Sequence, residues 1–267
     1  MGKLKYKFTK ETISVDGNPL YRIEALKDFG DVKKGDKGGY VEKEDSLSQY
    51  GQCWVYDDAM VYGNAKVFGD AKVRDNVRIF GNAEVYENAE VYDHAEVFDD
   101  AAICGDAKVF GYAWVYCRAW VFGDAEVYGD ARVHDNAQVY DNASVYDNAR
   151  IYGSAMVYGD AKVYDNAWVC SDVRIYGKAM AYGNAKVYSC AWVFGNAKIS
   201  SIDDYIVFKN WWSSGRYFTW TKSNNMWKVG CFYGTGKELI EKAYGDSDVS
   251  GREYERVVKY VESIIGK

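Results

Sequence analysis

The densest set of chemically capable side chains lies between Trp211 and Thr235. Arg216, Lys222 and Lys228 supply cations there, Trp211, Trp212 and Tyr217 supply rings, and the Thr219 hydroxyl stands among them. A guanidinium grips a phosphate or carboxylate through two parallel hydrogen bonds, a lysine adds a point charge, and an aromatic ring offers a flat stacking surface. The combination predicts a site for an anionic, stackable ligand such as a nucleotide, with Arg216 making bidentate contacts, Lys228 a point charge, and Tyr217 or Trp212 stacking. The competing reading places the tryptophans in a core and the cations in water.

Other reactive residues point to less. Of the two histidines, His94 replaces a turn Asn or Asp and His134 replaces an outward aromatic, so each reads as a surface variant rather than a general base. Six cysteines are scattered without a CxxC pair or CxxH spacing, which suggests free thiols rather than zinc or disulfides. Acidic pairs such as Asp57-Asp58 and Asp99-Asp100 fall at turns without the ligand order of a calcium loop. No catalytic residue, metal ligand or cofactor is assigned.

These residues sit in a chain whose main signal is a six-residue repeat. From Cys53 to Ile199 the pattern Ala-Lys-Val-Phe-Gly-Asp and its variants recurs without a slip. Alternation along a strand sends the first and third positions, Ala and Val, inward and the polar second position outward. The Gly-Asn, Gly-Asp and Asp-Asn pairs that follow are turn formers. Three such strands close a triangular coil of about 18 residues, and roughly eight coils stack into a rod of about 40 Å. The predicted fold is thus an all-β solenoid, a left-handed parallel β-helix of hexapeptide repeats, over residues 47–200. Residues 1–46 read as an N-terminal hairpin and cap, with strands at Thr12–Val15 and Leu20–Ile23 and a charged loop at Lys33–Gly39. Residues 201–267 read as a small α+β domain: a hairpin pairing 216–221 with 226–231, then helices over 237–243 and 250–264. Phe218, Trp220, Trp227, Val229 and Cys231 are expected on its core face against Val257, Val258, Val261 and Ile264, with Tyr217, Thr219, Thr221 and Lys228 on the other face.

The fourth-position aromatics face outward and should stack in stripes, one of them running Tyr56, Tyr92, Phe110, Tyr128, Tyr146, Tyr164 and Tyr182 with Arg74 interrupting. Trp114 and Trp168 share one face and Trp120 and Trp192 another, all in the usually polar second position. Such apolar surface predicts a homo-oligomer, a dimer or trimer, with these four tryptophans at its interface.

With 33 Lys+Arg against 39 Asp+Glu the net charge is -6, which argues against general nucleic-acid binding by counterion release. The start is Lys-rich without an apolar leader, and no run approaches membrane-spanning length, so a cytoplasmic location without membrane contact is expected.

The repeats, the stretches 211–219 and 227–235, and Ala25–Gly30 with Gly38–Val41 together resemble bacterial and phage-encoded hexapeptide-repeat proteins with a short Trp-rich C-terminal α+β domain. Rods of this kind are often acyltransferases that build their site between subunits of a trimer, commonly with a catalytic histidine. The leading expectation here is a non-enzymatic oligomeric binder, sequestering a signalling nucleotide or blocking a host defence protein, with function at the C-terminal domain or its junction with the rod. A structural or assembly protein is the alternative, and a hexapeptide-repeat acyltransferase is the second alternative.

Overall fold

The computed structural model describes residues 4–265; the three leading residues, part of the Lys-rich start, and the two final ones lie outside it. From Trp54 to Ile199 each hexad forms one two-residue strand from its second and third positions. Each strand pairs in parallel with the strand 18 residues on, as Lys66 with Glu84 and Val67 with Val85. The result is a parallel β-solenoid of three walls. Wall one runs from Met60–Val61 to Lys186–Val187, wall two from Trp54–Val55 to Lys198–Ile199, and wall three from Lys66–Val67 to Trp192–Val193.

The interior follows from side-chain volume. First-position Ala and third-position Val or Ile are buried in every coil and form one continuous core. Small residues beside the corners and branched ones at mid-wall fill a narrow triangle, each apolar group removed from water adding to the same column.

Corners need a left-handed residue at the fifth position, where Gly63 has φ +70°, Asp75 +61° and Ser171 +64°. Aspartate does more there than tolerate the turn. Its carboxylate accepts the backbone N–H of the equivalent residue one coil on: Asp93 from Gly111 at 3.1 Å, Asp135 from Gly153 at 3.0 Å and Asp165 from Gly183 at 2.9 Å. Turn preference alone did not predict this bracing between coils.

The outward aromatics stack as the sequence implies. On wall two, Tyr92, Phe110, Tyr128, Tyr146, Tyr164 and Tyr182 form a column with centroids 4.7–5.3 Å apart, and Arg74 lies 5.9 Å from both Tyr56 and Tyr92.

At the first coil, β1 (Tyr6–Val15) and β2 (Asn18–Ala25) form the expected hairpin, and β3 (Lys37–Val41) joins wall one beside Met60–Val61. The charged loop therefore ends sooner than its glycines suggest. Gly38 and Gly39 are buried, and a Cβ at either would stand 2.5 Å from the Val55 carbonyl or 2.4 Å from that of Ala59. Their role is close backbone approach rather than flexibility. Lys5 is fully buried with its Nζ donating to the Cys53 carbonyl at 2.9 Å, and burial pushes its pKa down.

At the last coil, strands Tyr205–Lys209, Tyr217–Thr221, Met226–Val229 and Phe232–Gly234 make an antiparallel sheet backed by α1 (Gly236–Asp246) and α2 (Asp248–Ile265). Phe218, Trp220 and Trp227 pack with Leu239, Tyr254, Val258 and Val261. Two sequence assignments need correction. Cys231 follows a turn at Gly230 and is exposed, and Ile264 is 38% exposed beyond the last core turn of α2. The opposite face of the sheet is not open either, because Thr219 and Thr221 are buried against the rod.

Candidate functional site

Because the second, fourth and sixth positions all face outward, each wall is a grid with one rung per coil. On wall one the second-position column reads Met60, Arg78, Glu96, Trp114, Arg132, Arg150, Trp168 and Lys186. The last five rungs carry no acid. Arg132 lies over the Trp114 ring at 4.6 Å, and Arg150 and Lys186 lie against Trp168 at 5.1 and 5.2 Å. Indole rings thus hold the cations in place through cation–π attraction. Among the described residues no ion pair engages Arg132, Arg150 or Lys186. Beside them a depression of about 380 Å³ is lined by Asn148, Asn166 and Asn184 as well as Arg150, Trp168 and Lys186.

His134 stands in the neighbouring fourth-position column of the same rung as Arg132. Its ring is stacked between Tyr116 at 4.7 Å and Tyr152 at 5.2 Å, so its plane is fixed and its edge remains at the surface. Nδ1 lies 3.3 Å from Asp135 Oδ1. The Gly153 backbone N–H, and secondarily His134, hold the Asp135 carboxyl below the usual carboxylate range. An anchored carboxylate orienting one imidazole nitrogen leaves the other free for proton transfer. His94, by contrast, stacks on Tyr112 at 4.9 Å and has no such carboxylate among its described contacts.

The residues singled out between Trp211 and Lys228 do not form one site. Trp211 is 74% exposed, whereas Trp212 packs into the C-terminal core against Tyr254 and Phe218. Thr219 accepts the Trp192 backbone N–H at 2.8 Å and caps the rod. Lys222 borders a separate depression with Asp203 and Trp220. Arg216 and Tyr217 line a groove shared with the rod residues Arg174 and Trp192. Lys228 reaches into the adjoining ring cluster, 5.2 Å from Phe194 and 5.9 Å from Trp192, and burial pushes its pKa down. Of the four tryptophans expected at an interface, Trp114 and Trp120 are exposed, while Trp168 and Trp192 are half-covered by their cations.

The family model described as YdcK Beta solenoid repeat matches residues 137–153 and 145–159. A protein of Escherichia coli (strain K12) called "Uncharacterized acetyltransferase YdcK" is 47% identical over 38 residues, which is 14% of this chain and 12% of that protein. This is a hexapeptide-repeat β-helix protein with a small C-terminal domain. The similarity corrects the leading expectation of a non-enzymatic binder that sequesters a nucleotide or blocks a defence protein. A relative named as an acetyltransferase backs the acyltransferase alternative instead, and with it enzymatic activity.

The wall-one set escaped the sequence reading because its members lie 18 residues apart. Written with one coil per line, the column Trp114-Arg132-Arg150-Trp168-Lys186 and the pair His134-Asp135 would have been visible.

Proposed function

We propose that this chain transfers an acyl group, acetyl foremost, from a thioester to a hydroxyl or amine acceptor, and that wall one is the working surface. The observation that carries the reading is the likeness over 38 residues to a protein named as an acetyltransferase; the choice of wall one rests on the cations, rings and imidazole gathered there. His134 and Asp135 then supply the base. The acceptor's proton passes to the imidazole nitrogen that Asp135 does not engage, while the acceptor's lone pair attacks the thioester carbonyl. Collapse of the tetrahedral intermediate expels the thiolate, which takes the proton back from the imidazolium. Arg150 and Lys186 attract a donor that carries phosphates, and Trp168 keeps both cations aimed outward. The reading places the protein in the cytoplasm as a homo-oligomer. Among the described residues no helix is long and apolar enough to cross a membrane.

The test is thiol release from acetyl-coenzyme A against a panel of hydroxyl and amine acceptors, corrected for the protein's own thiols. His134→Asn should lower turnover by about 100-fold or more, the usual contribution of a general base. Equal turnover in His134→Asn and the parent, or no acceptor-dependent release at all, refutes the assignment.

A further inference from the structure

We infer that the groove between the end of the rod and the C-terminal sheet is a second binding site, for an organic phosphate that carries a planar ring. The groove holds about 400 Å³ and is lined by Asp172, Arg174, Cys190 and Trp192 from the rod and by Arg216 and Tyr217 from the domain, with Gly230 at its edge. It lies at the end of wall three, whereas His134 belongs to wall one, so the inference stands apart from the acyl-transfer reading.

Three features converge on that ligand. Two guanidiniums enter the groove from different parts of the chain, and among the described residues no ion pair engages either. Arg174 is held over the Trp192 ring at 4.8 Å, which orders its fork before any ligand arrives. Lys228 lies outside the groove lining, with its half-buried ammonium 5.2–5.9 Å from Tyr176, Trp192 and Phe194, and adds positive potential on the far side of Trp192. Two forks suit a phosphate monoester, whose three terminal oxygens accept more bonds than a carboxylate offers. Tyr217, 41% exposed with the Lys209 ammonium 5.9 Å from its ring centre, supplies the ring on which the planar group lies. Asp172 opposes this charge, with its carboxylate 3.8 Å from the Cys190 thiol, and so weakens the site for any anion that engages only one of the two guanidiniums.

The experiment is isothermal titration calorimetry of the full chain with phenyl phosphate, inorganic phosphate and phenol. Phenyl phosphate should bind more tightly than either fragment. Arg216→Gln and Arg174→Gln should each weaken it by about tenfold or more, as the loss of a charge-assisted partner does, and Asp172→Asn should tighten it. Arg216 is exposed and outside the core, so Arg216→Gln keeps the test meaningful if Arg174→Gln disturbs Trp192. Acyl transfer should be unchanged in Arg216→Gln, which separates this site from wall one. No heat with phenyl phosphate at millimolar concentration, or binding indifferent to both arginine substitutions, overturns the proposal.

Discussion

Thr219→Val isolates the question of how the rod's last coil is closed. Along the solenoid the second- and fourth-position N–H groups of one coil donate to carbonyls of the next, as Lys66 to Ala83 at 2.9 Å and Phe68 to Val85 at 3.1 Å. The last coil has no successor, and side-chain oxygens take over. Tyr205 accepts from Tyr188 at 3.1 Å, Thr219 from Trp192 at 2.8 Å, and Ser223 from Lys198 at 2.7 Å, one on each wall. Valine has the shape of threonine without the acceptor, so the substitution leaves the Trp192 N–H unpaired. An orphaned buried donor costs about 1–3 kcal/mol, and the half-buried setting of Trp192 places the loss in the lower half of that range. Hydrogen exchange of the Trp192 amide should therefore speed up by about tenfold, given about 1.4 kcal/mol per decade. Each coil touches only its neighbours, so amides in the middle of the rod, such as Trp114 and Trp120, should keep their protection. A Trp192 amide as protected as in the parent, or a loss of protection spread evenly along the rod, refutes the capping argument.

Two more perturbations follow from the same geometry. Burial opposes ionisation of Asp204, but hydrogen bonds from the Ser200 backbone and hydroxyl and the Ser201 backbone outweigh it and hold its pKa below the usual carboxylate value. A depressed folded pKa adds stability that is complete above the unfolded value of about 3.9 and disappears as pH falls through the folded one. Denaturant midpoints should thus fall below about pH 4, and Asp204→Asn should flatten that slope; parallel profiles would contradict the assignment. Trp120 is 48% exposed on wall three, and its replacement by Ala should shift an assembly of the full chain toward monomers in light scattering. A parent chain that is already monomeric at high micromolar concentration ends the oligomer reading.

What the sequence made legible is what one hexad decides by itself. Ala and Val two residues apart must share a face, and Gly or Asp after an aromatic must turn, so walls, corners and aromatic columns follow without knowledge of neighbours. What it hid depends on the coil above or the domain beside. Asp93 reads as a turn residue, and nothing local says that the Gly111 N–H lies over its carboxylate. Thr219 alternates away from the core of its own sheet, which looks like solvent until the rod end covers it. Trp211 and Trp212 are adjacent and chemically identical, yet one is exposed and the other sits against Tyr254, because a turn rather than a strand places them. His134 occupies an aromatic slot in the repeat, and only the structure shows its Nδ1 3.3 Å from the carboxylate of Asp135, the next residue.

Position-by-position variation also says where a repeat protein of this kind is under demand beyond packing. The interior offers almost no freedom, since each coil must supply the same small and branched groups. Function has to be written in the outward columns. On wall two, successive rungs mostly avoid like charges, as in Lys72, Glu90, Lys108 and Glu126. That order spares the rod the repulsion of equal charges one strand apart, a cost of about 0.2–1 kcal/mol per pair. Wall one breaks the order where Arg132 is paired directly with Arg150, and neither has a carboxylate partner among the described residues. Trp114 and Trp168 flank the pair and offset part of the repulsion by cation–π contact, but they do not neutralise the charge. A rod that could have alternated its charges and instead spends stability on two adjacent guanidiniums, beside the oriented His134, is best explained by an anion that arrives there.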